Sequence, residues 1–372
     1  MGLVSKLRVT SPRKSSAILN AMRWFVPAVL VILGGISLLT LRSVATELAT
    51  FQFVFVLISL TAYLAVSRVP FEWWLKTRWV WYAGLNIMLV TTLLLGSVTR
   101  GSARWLPLGP VSAQPSQFAV PVVALVVGMV IARRGINNWR QLASGLGLIA
   151  LPAGLIAIEP DLGTAIVLVL SMGVVLWLGN LSWKYAGALL LALAFVAVIG
   201  WTSLLQPYQQ QRLTSFVQQQ QGQAGYNARQ SLIAVGSGQV FGKGLGQGSQ
   251  SHLRFLPERQ TDFIFASLAE EWGFVGSTLV IGLYAVLVWY LLGTSTGLHR
   301  PAGSYLIVAV ASLIALQTVI NIGMNMSLLP ITGITLPFIS YGGSSLLATA
   351  LMLGLAQSAL SEGGRSYSTH VG

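Results

Sequence analysis

The run from 142 to 178, LASGLGLIALPAGLIAIEPDLGTAIVLVLSMGVVLWL, contains two apolar segments that meet at the polar turn Glu159-Pro160-Asp161. Each segment is close to the roughly 20 residues that cross a ~30 Å hydrocarbon core as an α-helix. The turn between them is too short to hold any other element. The run therefore predicts a tight hairpin of two transmembrane helices.

Apolar segments of similar length recur along the whole chain of 372 residues. They occupy residues 24–41, 48–66, 79–96, 118–132, 142–158, 162–178, 185–203, 263–292, 304–325 and 337–360. Only 8% of the residues are charged and the mean hydropathy is +0.73, whereas soluble domains carry about 25% charged residues. We therefore predict an all-α polytopic membrane protein of about ten transmembrane helices.

The distribution of Lys and Arg predicts the orientation. If the N-terminus is cytoplasmic, 14 of these residues lie in cytoplasmic segments and 3 in short outer loops. The positive-inside rule then predicts a cytoplasmic basic segment at 1–23, one transmembrane domain at 24–360 and a cytoplasmic tail at 361–372. Residues 204–261 form a large extracytoplasmic loop between helices 7 and 8. The net charge of +13 follows from this topology, so no nucleic-acid partner is predicted.

Few residue types are available for covalent or metal chemistry. The chain has no cysteine, and its three histidines are far apart in sequence, so neither a thiolate site nor a histidine metal cluster is predicted. Seven of the nine acids lie on the predicted outer side, the exceptions being Glu72 and Glu362. Acid–base chemistry is therefore expected outside the cytoplasm. The first apolar segment is too long for a signal peptide and lacks a cleavage site.

The predicted outer loop contains two unusual segments. Its Gln-rich part, residues 206–231, is either a low-complexity linker or a set of short surface helices, and spaced apolar residues favour helices. The glycine-rich part, residues 236–250, fails two of the four fixed positions of a Walker A loop. It is either an ordinary tight loop or a turn whose backbone N–H groups and Lys243 bind an anion.

Acidic residues occur near the predicted outer ends of helices. Thr261 is a suitable N-cap for a helix over 263–292, with Asp262 in its first turn. Glu270 comes closest to the same helical face, but ~12 Å along the axis from Asp262, too far for a glycosidase pair. From chemistry alone, Asp262 is more often a carboxylate that complements the helix dipole. Glu159 and Asp161 either cap the following helix, which is favoured, or line a cavity.

Two apolar segments, 101–116 and 327–345, contain prolines and glycines that interrupt helix formation. Irregular backbone at membrane depth is tolerated only where it is buried in protein or lines a cavity. Broken segments of this kind commonly mark a binding site in membrane proteins. We therefore expect both segments to border the functional site.

Several motifs resemble those of the RodA/FtsW/SpoVE (SEDS) family. They are GSARWLPLG with QPS (101–116), EPDLGTA (159–165), VGSGQVFGKGLGQGSQ (235–250), LPERQTDFIFA (256–266), EEWGFVG (270–276) and LPITGITLPFISYGGSS (329–345). They occur in family order over nearly the whole chain. The wording of LRFLPERQTDFIF is closer to RodA than to FtsW. The resemblance implies ten helices with both termini inside and a large outer loop.

The resemblance also implies an activity, partners and a site. The family polymerises lipid II into glycan strands at the outer face of the inner membrane, works with a class B penicillin-binding protein, and depends on the aspartate that corresponds to Asp262. A role in cell elongation and shape is expected from the similarity to RodA. The expected substrate-binding residues are Arg104, Glu159, Asp161, Lys243, Arg254, Glu258, Arg259, Thr261, Glu270, Ser340 and Ser344. The family's usual Glu and Lys after QPS are replaced here by Gln117 and Val120, so their roles do not carry over.

The predicted reaction is an inverting glycosyl transfer. Asp262 would deprotonate the acceptor hydroxyl of lipid II, and undecaprenyl pyrophosphate would leave from the growing strand. Outer-side cations, among them Arg104, Lys243, Arg254 and Arg259, would hold the pyrophosphate. A divalent cation is the alternative, although no dense carboxylate cluster requires one. A lipid II flippase and a noncatalytic scaffold for the penicillin-binding protein are the competing functions.

Overall fold

The computed structural model describes residues 12–99, 102–108, 111–136, 138–199, 210, 223–252, 255–296, 298 and 300–368. The helices are α1 (Pro12–Val44), α2 (Thr46–Arg68), α3 (Phe71–Leu95), α4 (Ala119–Arg134), α5 (Trp139–Ile158), α6 (Leu162–Leu178), α7 (Trp183–Ile199), α8 (Gln223–Ser237), α9 (Ser249–His252), α10 (Ile264–Ser295), α11 (Pro301–Asn325) and α12 (Gly343–Ser368). Three short strands, β1 (Ser97–Thr99), β2 (Ser102–Leu108) and β3 (Val111–Ala113), pair antiparallel in that order. A 3-10 turn, Pro115–Phe118, precedes α4.

The described residues confirm a polytopic helical membrane protein. Eight helices are long and apolar enough to cross a membrane. Two further helices, α6 and α7, have 17 residues each. The predicted hairpin is present, because α5 ends at Ile158 and α6 begins at Leu162. The expected total of ten spans stays a prediction.

Three helices form the inside of the bundle. In α4, α11 and α12, about two thirds or more of the apolar window is buried, against 22% in α2 and α3. Helix α11 packs against α4, α6, α10 and α12, while α2 packs on α12 and α1. The outward faces carry large exposed apolar side chains such as Phe51, Leu57 and Ile87. An exposed apolar surface of this kind fits hydrocarbon rather than water.

Helix α10 is broken at Gly273, where φ is 67° and ψ is −161°. The break frees the carbonyl groups of Glu270 and Glu271, which accept hydrogen bonds from the N–H groups of Lys243 and Gly244, each at 3.0 Å. A Cβ on Gly242 would lie 2.1 Å from the Glu271 carbonyl oxygen. The glycine-rich segment therefore crosses the kink at a backbone approach that only glycine permits.

The predicted start of this helix is wrong. Helix α10 begins at Ile264 after Phe263, which makes no side-chain capping bond, so Thr261 is not an N-cap and Asp262 lies in the preceding turn. The Thr261 carbonyl accepts from Ser340 Oγ at 2.8 Å, and its hydroxyl donates to Glu258 Oε2 at 3.1 Å. A long-range bond from Ser340 and a local bond to Glu258 therefore hold Thr261, in place of an N-cap bond to the start of α10.

The segment between α11 and α12 is irregular, as the sequence predicts, but it continues to Gly342, so α12 begins later than the expected residue 337. Its buried backbone is paired by side chains from α1 and from the segment itself. Ser37 Oγ donates to the Ile339 carbonyl at 2.7 Å, and Ser340 Oγ accepts from Leu336 N–H at 2.8 Å. Non-helical backbone is stable inside a membrane protein when its polar groups are satisfied in this way.

The large loop is partly helical. Within residues 223–237, the helical alternative for the Gln-rich stretch is confirmed by α8, whereas residues 204–209 and 211–222 lie outside the described part. Helix α8 packs against α10 and α11. Its Ser231 is fully buried and donates from Oγ to the Asn325 carbonyl at 2.7 Å. This part of the loop is therefore docked on the bundle.

Candidate active site

Asp262 lies in the turn that leads into α10, against the irregular segment between α11 and α12. Its side chain is half-buried. A Cβ on Gly333, whose φ is 77°, would lie 3.5 Å from Asp262 Oδ2. The positive φ at Gly333 requires a residue that tolerates the left-handed region, and its missing side chain leaves the backbone close to the carboxylate.

Two buried asparagines one turn apart on α11 hold this aspartate by its main chain. Asn321 Nδ2 and Asn325 Nδ2 donate to the Asp262 carbonyl oxygen at 3.1 and 3.0 Å. Asn325 Oδ1 accepts from Ala266 N–H at 3.0 Å, and Asn321 Nδ2 also donates to the Ile334 carbonyl at 2.8 Å. The pair therefore ties three elements together: the turn at Asp262, the start of α10, and the segment at Ile334.

Sequence reasoning missed this asparagine pair, although its signal is present. Asn321 and Asn325 are the i and i+4 positions of an otherwise apolar helix, and both are fully buried. Polar side chains inside membrane helices are costly unless they are hydrogen-bonded, so their presence points to a structural or functional role.

Asp161 caps helix α6, which confirms the favoured interpretation for this residue, whereas Glu159 ends α5 and does not cap α6. Its Oδ1 accepts from Thr164 N–H at 3.4 Å and lies 3.5 Å from Arg104 Nη1. Its Oδ2 accepts from Gln114 Nε2 at 2.8 Å and from Ser116 Oγ at 3.3 Å. The carboxylate therefore anchors the broken segment at 101–116 to the α5–α6 hairpin.

Glu159, two residues earlier, is fully buried. Within the described part of the chain, neither of its carboxylate oxygens has a hydrogen-bond partner. Burial and the neighbouring Asp161 raise the pKa of Glu159 from 4.5 to about 8, while Arg104 opposes the rise. The protonated carboxyl is therefore the form that this environment favours at neutral pH.

The raised pKa of Glu159 predicts a pH-dependent stability. Between pH 4.5 and about 8 the folded state holds a proton that the unfolded state has lost, so stability falls as the pH rises through this window. Glu159→Gln should remove the effect and raise Tm at pH 8 by at least about 3 °C, since each unit of raised pKa corresponds to about 1.4 kcal/mol. Thermal unfolding of the detergent-solubilised protein at pH 5 and pH 8 measures it. Parallel pH profiles for wild type and variant would contradict the assignment.

Asp262 and the hairpin tip at Asp161 both lie near the backbone of residues 332–334. On one side, Gly333 faces Asp262. On the other, a Cβ on Gly163, just after Asp161, would lie 3.3 Å from the Thr332 carbonyl oxygen and 3.2 Å from Ile334 Cγ1. The hairpin tip, the irregular segment and the turn before α10 therefore meet at residues 332–334.

The two serines expected in the site bridge its elements. Ser340 Oγ donates to the Thr261 carbonyl, next to Asp262. Ser344 Oγ accepts from Gln114 N–H at 3.3 Å and donates to the Ser112 carbonyl at 3.1 Å. Both hydroxyl groups hold backbone together around the meeting point, so their substrate contacts stay a prediction.

Two of the expected substrate-binding residues, Lys243 of the glycine-rich segment and Glu270 of α10, form an ion pair with Lys243 Nζ 3.0 Å from Glu270 Oε1. Glu270 is fully buried and also accepts from Gln250 N–H and Ser251 N–H at 3.0 Å each, and from Ser251 Oγ at 2.7 Å. The glycine-rich segment therefore brings backbone N–H groups to an anion, which is one of the two alternatives that the sequence left open. The anion is the protein's own carboxylate.

The other expected residues are placed as follows. Arg259 Nε donates to the Val44 carbonyl at the end of α1 at 3.0 Å. Arg254 lies outside the described residues. A cavity of about 370 Å³ lies beside the Asp262 turn, between residues 256–260 and the start of α2 at Ala45, Glu47 and Leu48. The expected cation next to the Asp262 carboxylate stays a prediction.

The family that the order of the motifs suggested is also the one that known proteins support. The FtsW/RodA/SpoVE family model, described as "Cell cycle protein", matches residues 15–363. The chain belongs to this family. Its relatives include the peptidoglycan glycosyltransferase MrdB of Escherichia coli K12, 39% identical over 276 residues that cover 73% of this chain and 74% of the relative. Stage V sporulation protein E of Bacillus subtilis is 36% identical over 296 residues, or 74% and 79% of the two chains.

Solved structures show the same fold. A chain from a structure described as "Structural coordination of polymerization and crosslinking by a peptidoglycan synthase complex" matches with a TM-score of 0.80 at 27% identity. The rod shape determining protein RodA of Thermus thermophilus matches with a TM-score of 0.70 at 25% identity. Each comparison covers 91% of this chain and 97% of the other.

The residues after QPS differ from the pattern that the family resemblance implies. Gln117 stands where the family commonly has Glu, and its Nε2 donates to Gln114 Oε1 at 3.3 Å. Gln114 in turn donates to Asp161. Val120, in place of the usual Lys, is buried and packs in the apolar core. A neutral hydrogen-bond relay therefore occupies this position in place of a charged pair.

Proposed function

We propose that this protein is a peptidoglycan glycosyltransferase that polymerises lipid II at the outer face of the cytoplasmic membrane, in cell elongation. The observation that carries the proposal is the position of Asp262. A half-buried carboxylate lies against the broken segment at residues 332–334, which also contacts the tip of the α5–α6 hairpin, and the main chain of Asp262 is fixed by Asn321 and Asn325. Membership of the family supports the same activity.

The proposed reaction balances with one base and one leaving group. The Asp262 carboxylate accepts the proton of the GlcNAc 4-hydroxyl of lipid II. That oxygen attacks the anomeric carbon of the MurNAc at the reducing end of the growing strand. The bond from this carbon to undecaprenyl pyrophosphate breaks, with inversion at the carbon, and the diphosphate carries away the bonding electrons.

Fixing the aspartate by its carbonyl group suits a base. The two asparagine amides bind the carbonyl oxygen of Asp262. They therefore hold the residue in place without using the carboxylate oxygens that would accept the proton. A pre-positioned base avoids reorganisation when the proton moves. The backbone at Gly333 lies beside the carboxylate.

A lipid-linked substrate requires a site that is open to the bilayer. The prenyl tail stays in hydrocarbon while the diphosphate reaches the surface, so we propose a lateral groove walled by the hairpin tip, residues 101–116 and residues 327–345. Arg104 lines this region through its ion pair with Asp161 and is 23% exposed. It is therefore a candidate to hold the diphosphate, with Arg254 and Arg259 as further candidates.

We also propose a class B penicillin-binding protein as partner, because polymerised strands must be crosslinked. The match to a chain from a peptidoglycan synthase complex supports this assembly. We propose cytoplasmic termini and an extracytoplasmic loop at 204–261. The asymmetry of Lys and Arg across the spans supports that orientation.

One experiment separates the polymerase from a flippase and from a scaffold. Purified protein in detergent micelles, with the partner inhibited by a β-lactam, is incubated with fluorescent lipid II and the products are resolved by length. Micelles have no second leaflet, so flipping produces nothing there. Long glycan strands are expected, and unreacted lipid II with a correctly folded protein would contradict the proposal.

A further inference from the structure

Three arginines converge in a cavity of about 420 Å³ at the other end of the bundle from the candidate site. Arg78 lies near the start of α3, and Arg133 and Arg134 lie at the end of α4. Ser144 of α5 and the indole of Trp79 complete the polar rim. In the orientation proposed above from the charge asymmetry, this end of the bundle is cytoplasmic.

The arginines have no acidic partner among the described residues. At this end the acids are Glu72 and Glu362, and Arg300 takes both, at 2.8 and 3.6 Å. Arg78 Nη1 donates to the Leu75 carbonyl, while its Nε is buried and has no hydrogen-bond partner in the described structure. Like charges that share a cavity repel, so an anion bound there would stabilise the arrangement.

The remaining wall of the cavity is apolar and half-buried. Met129 and Val130 of α4 and Leu148 of α5 form it. Trp79 is 47% exposed, and the Arg78 guanidinium lies 5.7 Å from its ring centroid. Exposed tryptophans are typical of the headgroup level of a membrane. Four tryptophans lie between residues 73 and 81, which places the cavity at that level.

We propose that this cavity, the arginine cavity, binds the phosphate headgroup of an anionic phospholipid of the inner leaflet. The three guanidinium groups would bind the phosphate, and an acyl chain would lie along the apolar wall between α4 and α5. The positive-inside rule explains why arginines occur at this end. It does not require three of them to share one cavity without a carboxylate. The apolar wall favours a lipid over a soluble anion.

The test compares two double variants with the same loss of charge. Arg78→Gln with Arg133→Gln removes two cavity charges. Lys76→Gln with Arg140→Gln removes two charges at the same end but outside the cavity, and Arg140 also lies over a tryptophan ring, at 5.6 Å. Binding of dioleoylphosphatidylglycerol and of dioleoylphosphatidylcholine to the detergent-purified proteins is measured by native mass spectrometry.

The cavity variant should bind phosphatidylglycerol about a hundredfold more weakly than wild type, since each hydrogen bond to a charged phosphate contributes about 1.5 kcal/mol and 1.4 kcal/mol is tenfold. The control variant should stay within about threefold of wild type, and phosphatidylcholine binding should not change. Equal losses in both variants would indicate diffuse attraction and overturn the site. Unchanged binding in the cavity variant would overturn it as well.

A second measurement does not depend on the arginine variants. The chain has no cysteine, so Ser144→Cys in the cavity and Ala143→Cys on the neighbouring exposed position of α5 are each labelled with a maleimide. Phosphatidylglycerol vesicles should slow labelling at 144 at least fivefold and leave 143 unchanged. If inorganic phosphate alone gives the same protection, the site binds free anions and the lipid proposal fails. Absence of protection by phosphatidylglycerol also refutes it.

Discussion

Asp262→Ala is expected to lower the rate of glycan polymerisation by about 10³-fold, within the range that removal of a general base produces. The protein should stay folded and inserted in the membrane. The reason is that Asn321 and Asn325 bind the carbonyl group of Asp262, which the substitution keeps. Polymer yield from lipid II and Tm are measured on the same preparation.

The controls for this prediction are chosen by chemistry and position. Asp262→Asn keeps the size of the side chain and removes its basicity, so it should be as inactive as the alanine variant. Glu47→Gln removes an exposed carboxylate at the start of α2, beside the neighbouring cavity, and should remain fully active. Wild-type yield from Asp262→Asn would rule out a role of this residue as the base.

Glu270→Ala should destabilise the protein by about 3–5 kcal/mol, the loss typical when one partner of a buried ion pair is removed. The substitution leaves Lys243 and the N–H groups of Gln250 and Ser251 without their shared acceptor. The glycine-rich segment should then detach from the kink of α10. We expect a fall in Tm of roughly 10 °C and faster proteolysis within residues 236–252.

This prediction also separates a structural role of Glu270 from substrate binding. If Glu270 contacts the substrate directly, Glu270→Gln should lose activity while Tm stays near the wild-type value. If the residue fixes the loop, activity and Tm should fall together, and Lys243→Met should show the same loss to a smaller degree because Lys243 is 30% exposed. A change in Tm below about 2 °C for Glu270→Ala would contradict the structural role.

The sequence predicted the features that depend on local composition. Apolar length predicted the α5–α6 hairpin to within three residues, and the prolines and glycines of 101–116 and 327–345 identified two segments that interrupt the helices. The Asp161 cap also follows from local rules, because an Asp just before an apolar helix accepts a hydrogen bond from the N–H group three residues later. Membership of the family was recognised from motif order and is confirmed.

The features that sequence missed depend on contacts between distant residues. Thr261 has the chemistry of an N-cap, yet it lies outside the helix, where Ser340, 79 residues away, donates to its carbonyl group. Gly273 alone does not predict a kink, because the backbone hydrogen bonds that permit the kink come from the loop at 239–244. The Lys243–Glu270 pair was expected to serve a substrate as two separate groups. This ion pair requires the kink in α10, and the hydrophobic periodicity of the sequence does not predict that kink.

The most direct test of the central claim is the structure of Asp262→Asn in complex with lipid II, since this variant should bind substrate without consuming it. Our account predicts that the GlcNAc 4-hydroxyl lies about 3 Å from the side chain at position 262, within hydrogen-bond reach of a base. The prenyl tail should leave between helices near residues 332–334. Lipid II held with its sugars far from position 262, toward the opposite end of the bundle, would contradict the assignment of Asp262 as the catalytic base.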